Sequence, residues 1–258
     1  MVRFMLKKNQ AQQSQTTTHF GFKNVNITEK PRLVRSVFDS VAPNYDLMND
    51  IMSLGIHRLW KNTLIKKLKP NQSMGLLDVG GGTGDIAFKF IDKGGQNIVV
   101  TDFNTEMLEV GRNRAMDQGI IKQIKWIGGN AEQLPFEDSS FDAYTTAFCL
   151  RNVTDLDQAL QEAYRILKPG GRFLCLEFSH VILPSLSKLY DTYSFKLLPL
   201  MGQVFANDRA SYQYLAESIR RFPTQDEFVT LIKGSGLEKI TYQNLSRGIV
   251  AIHSAWKI

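Results

Sequence analysis

From residue 74 onward the chain alternates short apolar runs with amphipathic stretches. Met74 to Val79, broken only by Gly75 and Asp78, predicts a buried strand, and Asn97-Ile-Val-Val-Thr-Asp102 predicts a second. Ile124 to Ile127 and Phe141 to Phe148 read as strands three and four, and Arg172 to Phe178 as a fifth, tipped by Glu177. Between them, Asp85 onward opens a helix, and Thr105 to Asp117 places Met107, Leu108 and Met116 on one side of another. Asp155 to Leu167 carries Leu156, Ala159, Leu160, Ala163 and Leu167 at helical spacing and is stopped by Lys168-Pro-Gly-Gly171. Strands alternating with helices predict an α/β fold with a doubly wound, Rossmann-like sheet. Gly236 to Tyr242 and Gly248 to His253 read as a closing pair of strands after a helix that starts near residue 223.

Two regions lie outside that pattern. Residues 29–70 look helical, and residues 180–222 are apolar and aromatic but interrupted by Pro184, Pro199 and Pro223, which predicts short helices. Both are expected to cover the carboxyl ends of the strands, where open α/β sheets bind ligands. The expected organisation is a mobile tail over 1–28, a helical cover over 29–70, a cofactor-binding core over 74–179, a substrate cover over 180–222 and closing elements over 223–258, the last four forming one domain.

Composition adds limits. No apolar run reaches the ~18 residues of a membrane span, so the expectation is a soluble or peripheral protein. Cys149 and Cys175 fall in apolar segments, as small hydrophobes of a reducing compartment. No His or Cys spacing suits a metal. The net charge of +6 is mild, and Lys61, Lys66, Lys67 and Lys69 are expected on an exposed helix face. Residues 1–28 hold Arg3, Lys7, Lys8 and Lys23 without an acid, a faint likeness to a mitochondrial presequence. The expected location is cytoplasmic, peripheral to the inner face of a membrane at most, with the mitochondrial matrix the lesser option.

Chemistry enters at residues 77–85, Leu-Asp-Val-Gly-Gly-Gly-Thr-Gly-Asp. Glycines 80, 82 and 84 between strand and helix let backbone N–H groups approach a ligand. The dinucleotide spacing G-x-G-x-x-G fails, because its sixth position is Asp85. No P-loop Lys is present, and acidic Asp78 suits a cationic or amino-acid ligand better than a phosphate. The turn resembles motif I of class I S-adenosylmethionine-dependent methyltransferases. Asp102, roughly twenty residues on, stands where a βαβ unit puts an acid on ribose hydroxyls; its ordinary alternative is a helix N-cap. In that fold the Asn130-Ala131 loop lies beside the adenine, although Asn130 also suits a cap. Arg151 and Asn152 follow strand four, at the methyl-facing end, and Arg151 has an ordinary alternative in pairing with Asp155 or Asp157. Tyr45, Tyr190 and Tyr193 are aromatic donors in the covers, and His57 and His180 are candidate bases that are more often structural.

Seven further segments sharpen the resemblance: Thr18–Phe22, Val41–Asp50, Gly55–Trp60, Leu150–Thr154, Leu167–Gly171, Leu176–Ser179 and Tyr214–Ile219. Together they resemble the UbiE family of ubiquinone/menaquinone biosynthesis C-methyltransferases from about residue 18 to the C-terminus. The resemblance implies S-adenosylmethionine as cofactor, held by Thr83, Asp102, Asn130 and Ala131 together with Asp78 and the glycines at 80, 82 and 84. The family commonly places a serine where this chain has Ala147, which leaves a backbone contact there. It further implies methylation of a ring carbon of a polyprenylated benzoquinol or demethylmenaquinol, with Arg151 polarising the quinol oxyanion or positioning a water and with Asn152 and Tyr45 orienting the ring. Leu183, Leu186, Leu189, Leu197, Leu198, Leu200 and Met201 are candidates to meet the prenyl tail. Expected partners are the quinol, a peripheral membrane contact, and a homodimer or quinone-synthesis complex. No nucleic acid is expected, since no flipped-base segment of the Asn/Asp-Pro-Pro-Tyr/Phe type occurs. The rivals are an O- or N-methyltransferase of another small molecule and a non-catalytic scaffold.

Overall fold

A computed structural model of the chain describes residues 17–41, 49–50, 53, 55–181, 199–200, 203 and 208–258. Strands β1 (Thr17–Phe20) and β2 (Lys23–Asn26) form an antiparallel hairpin, followed by helices α1 (Lys30–Val41) and α2 (His57–Leu68). The core then runs β3 (Gly75–Val79), α3 (Asp85–Asp92), β4 (Asn97–Asp102), α4 (Thr105–Asp117), β5 (Ile124–Gly128), β6 (Phe141–Ala147), α5 (Leu156–Ile166) and β7 (Leu167–Phe178). Helices α6 (Arg209–Arg221) and α7 (Gln225–Gly234) lead to β8 (Glu238–Leu245) and β9 (Val250–Trp256).

Seven strands form one sheet in the order β5-β4-β3-β6-β7-β9-β8, and β9 alone runs antiparallel to its neighbours. The order reverses between β3 and β6, so a crevice opens above their carboxyl ends. Side chains alternate through the sheet. Leu76, Leu174 and Leu176 join a core with Trp60, Leu64 and Phe90 on one face. Leu77, Phe173 and Cys175 join Leu160 and Phe228 on the other. Both faces are buried, which explains why the strands read as nearly continuous apolar runs.

Three expectations need correction. Residues 17–26 are not tail: Phe20 stacks on Tyr214 of α6 with ring centroids 4.1 Å apart, and the Phe22 N–H donates to Glu217. That partner lies far along the chain, beyond the reach of local pattern. Lys61 is not on an exposed face; it is 5% exposed, and its Nζ lies 2.7 Å from Asp85 Oδ2. Lys168-Pro-Gly-Gly171 does not separate helix from strand, because β7 already begins at Leu167, opposite Phe141. The pairing then skips to Ala143 opposite Arg172, and the Pro-Gly-Gly segment is an excursion within the strand.

Phe228 is fully buried and packs α7 onto Phe222 and the His253 ring of β9. Phe228→Ala is expected to lower stability by about 3–5 kcal/mol, read as a shifted midpoint in chemical denaturation.

Candidate active site

The turn after β3 is stitched to the end of β4. The Gly80 and Gly81 N–H groups donate to the Thr101 carbonyl at 2.8 and 3.2 Å, and the Gly82 N–H donates to Asp102 Oδ2 at 2.9 Å. Gly80 (φ 64°) and Gly82 (φ 52°) hold left-handed backbone conformations. A Cβ on Gly80 would also lie 2.2 Å from Cys149 Sγ, so only glycine leaves this backbone bare. Asp102 Oδ1 accepts from the Asn104 N–H. Burial pushes the Asp102 carboxyl up to about 6 despite these backbone donors.

Beside this seam lies a cleft open to solvent. Val79, Gly80, Gly82 and Asp102 form its floor, with Phe103, Met107, Asn130 and Ala131 along one side. Helix α1 roofs it through Pro31, Val34, Arg35 and Phe38. Polar ties hold that roof: Lys30 Nζ to the Val153 carbonyl (2.6 Å), Asn104 Nδ2 to Asp39 (2.7 Å) and Ser40 Oγ to Asp208 (2.6 Å). The far end is Phe148, Cys149 and Asn152. Phe148, the first residue after β6, has φ 60°, a conformation non-glycine residues seldom adopt.

Gly80, Gly82, Asp102, Asn130 and Ala131 thus line one cleft together with Asn152. Asn130 Oδ1 also accepts from the Glu132 N–H, closing a tight turn; residues 131–134 are not helical, so it caps no helix. The other candidates stand behind the wall. Asp78 is wholly buried beneath the turn; Oδ1 accepts from Thr145 Oγ1, Oδ2 has no partner among the described residues, and burial raises its carboxyl to about 7. Thr83 is buried and accepts from Arg114. Gly84 packs under Trp126, whose ring a Cβ would meet at 2.5 Å. Ala147 packs against the core. Strand and turn geometry sends alternate residues away from the cleft, and motif spacing cannot separate the two sets.

Arg151 pairs with neither Asp155 nor Asp157. Its Nη1 donates to Glu177 Oε1 at 2.8 Å and to the Phe148 carbonyl, the guanidinium sits over the Phe178 ring, and its Nε has no partner among the described residues. Burial raises the Glu177 carboxyl, and the Arg151 charge opposes that rise. His57 bonds Asp50, and His180 meets the Phe222 carbonyl; neither lines the cleft. Tyr45, Tyr190, Tyr193 and the proposed tail-contacting residues from Leu183 to Leu198, with Met201, lie outside the described residues, while Leu200 is exposed.

Sequence reasoning overlooked Phe103, Asn104 and Met107 as lining residues. Phe103 had a signal, an aromatic side chain beside an acidic strand tip; it is 43% exposed. Helix α1, by contrast, falls within the helical cover expected over 29–70.

These residues fit a nucleoside carrying an amino-acid tail. Bare glycine backbone accommodates close approach, the Asp102 oxygens keep lone pairs for hydroxyls, and Phe103 and Met107 offer apolar surface to a flat base. Solved structures agree on the fold. A Thermotoga maritima S-adenosylmethionine-dependent methyltransferase, titled a possible histamine N-methyltransferase, superposes with a TM-score of 0.64 at 20% identity, over 87% of this chain and all of that one. Haemonchus contortus phosphoethanolamine N-methyltransferase 2, with S-adenosyl-L-methionine bound, gives 0.55 at 19% identity, over 76% of this chain and 52% of that one. The fold is that of the class I methyltransferases, and the cleft fits S-adenosylmethionine.

Within that class the match is specific. The model of the ubiE/COQ5 methyltransferase family covers residues 22–257, and the chain belongs to that family of C-methyltransferases. The Bos taurus and Homo sapiens proteins named 2-methoxy-6-polyprenyl-1,4-benzoquinol methylase, mitochondrial, are each 51% identical, over 94% and 93% of this chain and 84% of their own lengths. The Dictyostelium discoideum protein of the same name is 50% identical over 93% of this chain and 86% of its own. The mitochondrial names overturn the cytoplasmic expectation. The cytoplasmic expectation gave too little weight to the basic, acid-free composition of residues 1–28, a feature that matrix presequences share.

Removing one partner of a buried ion pair strands the other charge. Glu177→Ala is expected to destabilise the protein by about 3–5 kcal/mol, with Glu177→Ala/Arg151→Met recovering part of the loss in thermal denaturation.

Proposed function

We propose that this enzyme methylates a ring carbon of a 2-methoxy-6-polyprenyl-1,4-benzoquinol. The observation that carries the reading is the identity of about half of all positions, over nearly the whole chain, with relatives named for that substrate. A demethylmenaquinol is the alternative acceptor of the family resemblance.

S-adenosylmethionine supplies an electrophilic methyl group when bound. The chain's task is to hold donor and acceptor in line, exclude water and make the ring carbon nucleophilic. Asp102 accepts from the ribose hydroxyls, the backbone at Gly80 and Gly82 meets the amino-acid portion, and Asn130 and Ala131 meet the adenine edge. Asp78, Thr83 and Gly84 support the turn from behind. At the far end, Asn152 orients the quinol ring. Loss of the quinol proton to water places charge on oxygen and, through the ring, on the carbon ortho to it; after that carbon takes the methyl group, its own proton leaves to solvent and the ring regains aromaticity. Arg151 is buried and does not line the cleft, so it stabilises that oxyanion through a water; the support for it is an Nε left without a partner among the described residues while Glu177 and Phe148 fix the rest of the guanidinium. The role given to Tyr45 rests on the resemblance alone.

Two measurements test this. With labelled S-adenosylmethionine, label should enter a ring carbon of a reduced methoxy-benzoquinol analogue in preference to demethylmenaquinol; label only on the naphthoquinol, or on oxygen, would overturn the substrate. Cofactor affinity should be full above pH ~7 and fall as pH drops through about 6, because the binding form of Asp102 is the ionised one. Asp102→Asn should weaken binding by about 10–100-fold and flatten that pH dependence in calorimetry.

A further inference from the structure

Two segments that mark the family, Thr18–Phe22 and Tyr214–Ile219, have no place in the chemistry above, yet they meet each other. Phe20 of the hairpin lies flat on the Tyr214 ring, with centroids 4.1 Å apart and planes 16° from parallel. The Phe22 N–H donates to Glu217 one turn farther along α6. Tyr214, 4% exposed, then donates its hydroxyl to Asn152 Oδ1 at 3.0 Å. Asn152 lines the cleft, and no described residue accepts from its Nδ2.

We infer that Tyr214 is a positioning residue: by occupying Asn152 Oδ1 it fixes the amide so that its NH2 group is presented to the cleft as a donor, and the N-terminal hairpin clamps Tyr214 in that role. The inference rests on the reading of Asn152 as a contact to the quinol ring. An amide left free could turn either its oxygen or its nitrogen toward an acceptor, and only the nitrogen suits an oxygen that gains negative charge during the reaction. A tyrosine hydroxyl is a suitable lock because burial lifts Tyr214 well above the ordinary phenol range, so it remains a donor throughout the working pH range. The rest of the loop is pinned by other groups. Glu132 accepts from the N–H groups of Thr154 and Asp155, and Lys30 holds the Val153 carbonyl, so backbone placement does not depend on Tyr214.

The experiment is a double-mutant cycle with Tyr214→Phe and Asn152→Ala in the full chain, using labelled S-adenosylmethionine and a methoxy-benzoquinol analogue. Tyr214→Phe keeps the stack on Phe20 and removes only the hydroxyl. It is expected to lower kcat about tenfold, with calorimetric affinity for S-adenosylmethionine unchanged and the melting temperature little altered. In the Asn152→Ala background it should cause no further loss, because the group it orients is gone. Equal losses in both backgrounds, or wild-type turnover in Tyr214→Phe, would overturn the assignment. Phe20→Leu is the second variant, expected to reproduce the kcat loss partially through a looser Tyr214; full activity there would remove the hairpin from the role. The unmodified enzyme in the same assay separates the two readings: if it labels no quinol carbon, the substrate has failed, not the lock.

Discussion

The seam between the glycine turn and the end of β4 sets the geometry on which the cleft depends. Three consecutive N–H groups, of Gly80, Gly81 and Gly82, are drawn to one short stretch, the Thr101 carbonyl and the Asp102 carboxylate. Neighbouring strands end at the height dictated by their register, and this seam turns two strand ends into one continuous floor. It also holds Asp102 in a partly desolvated position, where its hydrogen bonds are stronger than they would be in water. Without the left-handed φ values of Gly80 and Gly82, neither bond set could close.

Behind the floor, a chain of buried charge joins elements that the sheet does not connect. Lys61 of α2 and Arg114 of α4 both reach Asp85 at the start of α3, and Arg114 also donates to Thr83. Burial would raise the Asp85 carboxyl, but the two cations outweigh it and hold the group well below the usual carboxylate range. An anionic residue at that position also suits the positive end of the α3 dipole. The network therefore locks the orientation of the helix whose N-terminus faces the turn.

Sequence pattern revealed the sheet well because most of its information is local. The strand runs, the periodicity of the helix after Asp155 and the acid at position 102 each declare themselves within a short window. The spacing from turn to Asp102 pointed to one side of the cleft, and the resemblance added Asn130, Ala131 and Asn152, which line it as well. What stayed hidden depends on distant partners: the hairpin requires α6, the burial of Lys61 requires α3, and the Arg151 pairing requires Glu177 on β7. Which members of a motif face a ligand is similarly opaque. Asp78 lies one residue before the end of β3 and Asp102 at the end of β4, yet one is sealed under Gly81 while the other borders the cleft.

The walls of the cleft come from five separated stretches of chain, at 31–38, 79–82, 102–107, 129–132 and 148–154. Closure of such a pocket requires contacts between residues more than a hundred positions apart, which form late when local structure leads folding. Occupancy then reports on completion of the whole domain: a partly folded chain has no pocket. A ligand at a hundred times its Kd adds about 2.7 kcal/mol to the finished state alone. Bound methyl donor therefore stabilises the finished fold as well as feeding its reaction.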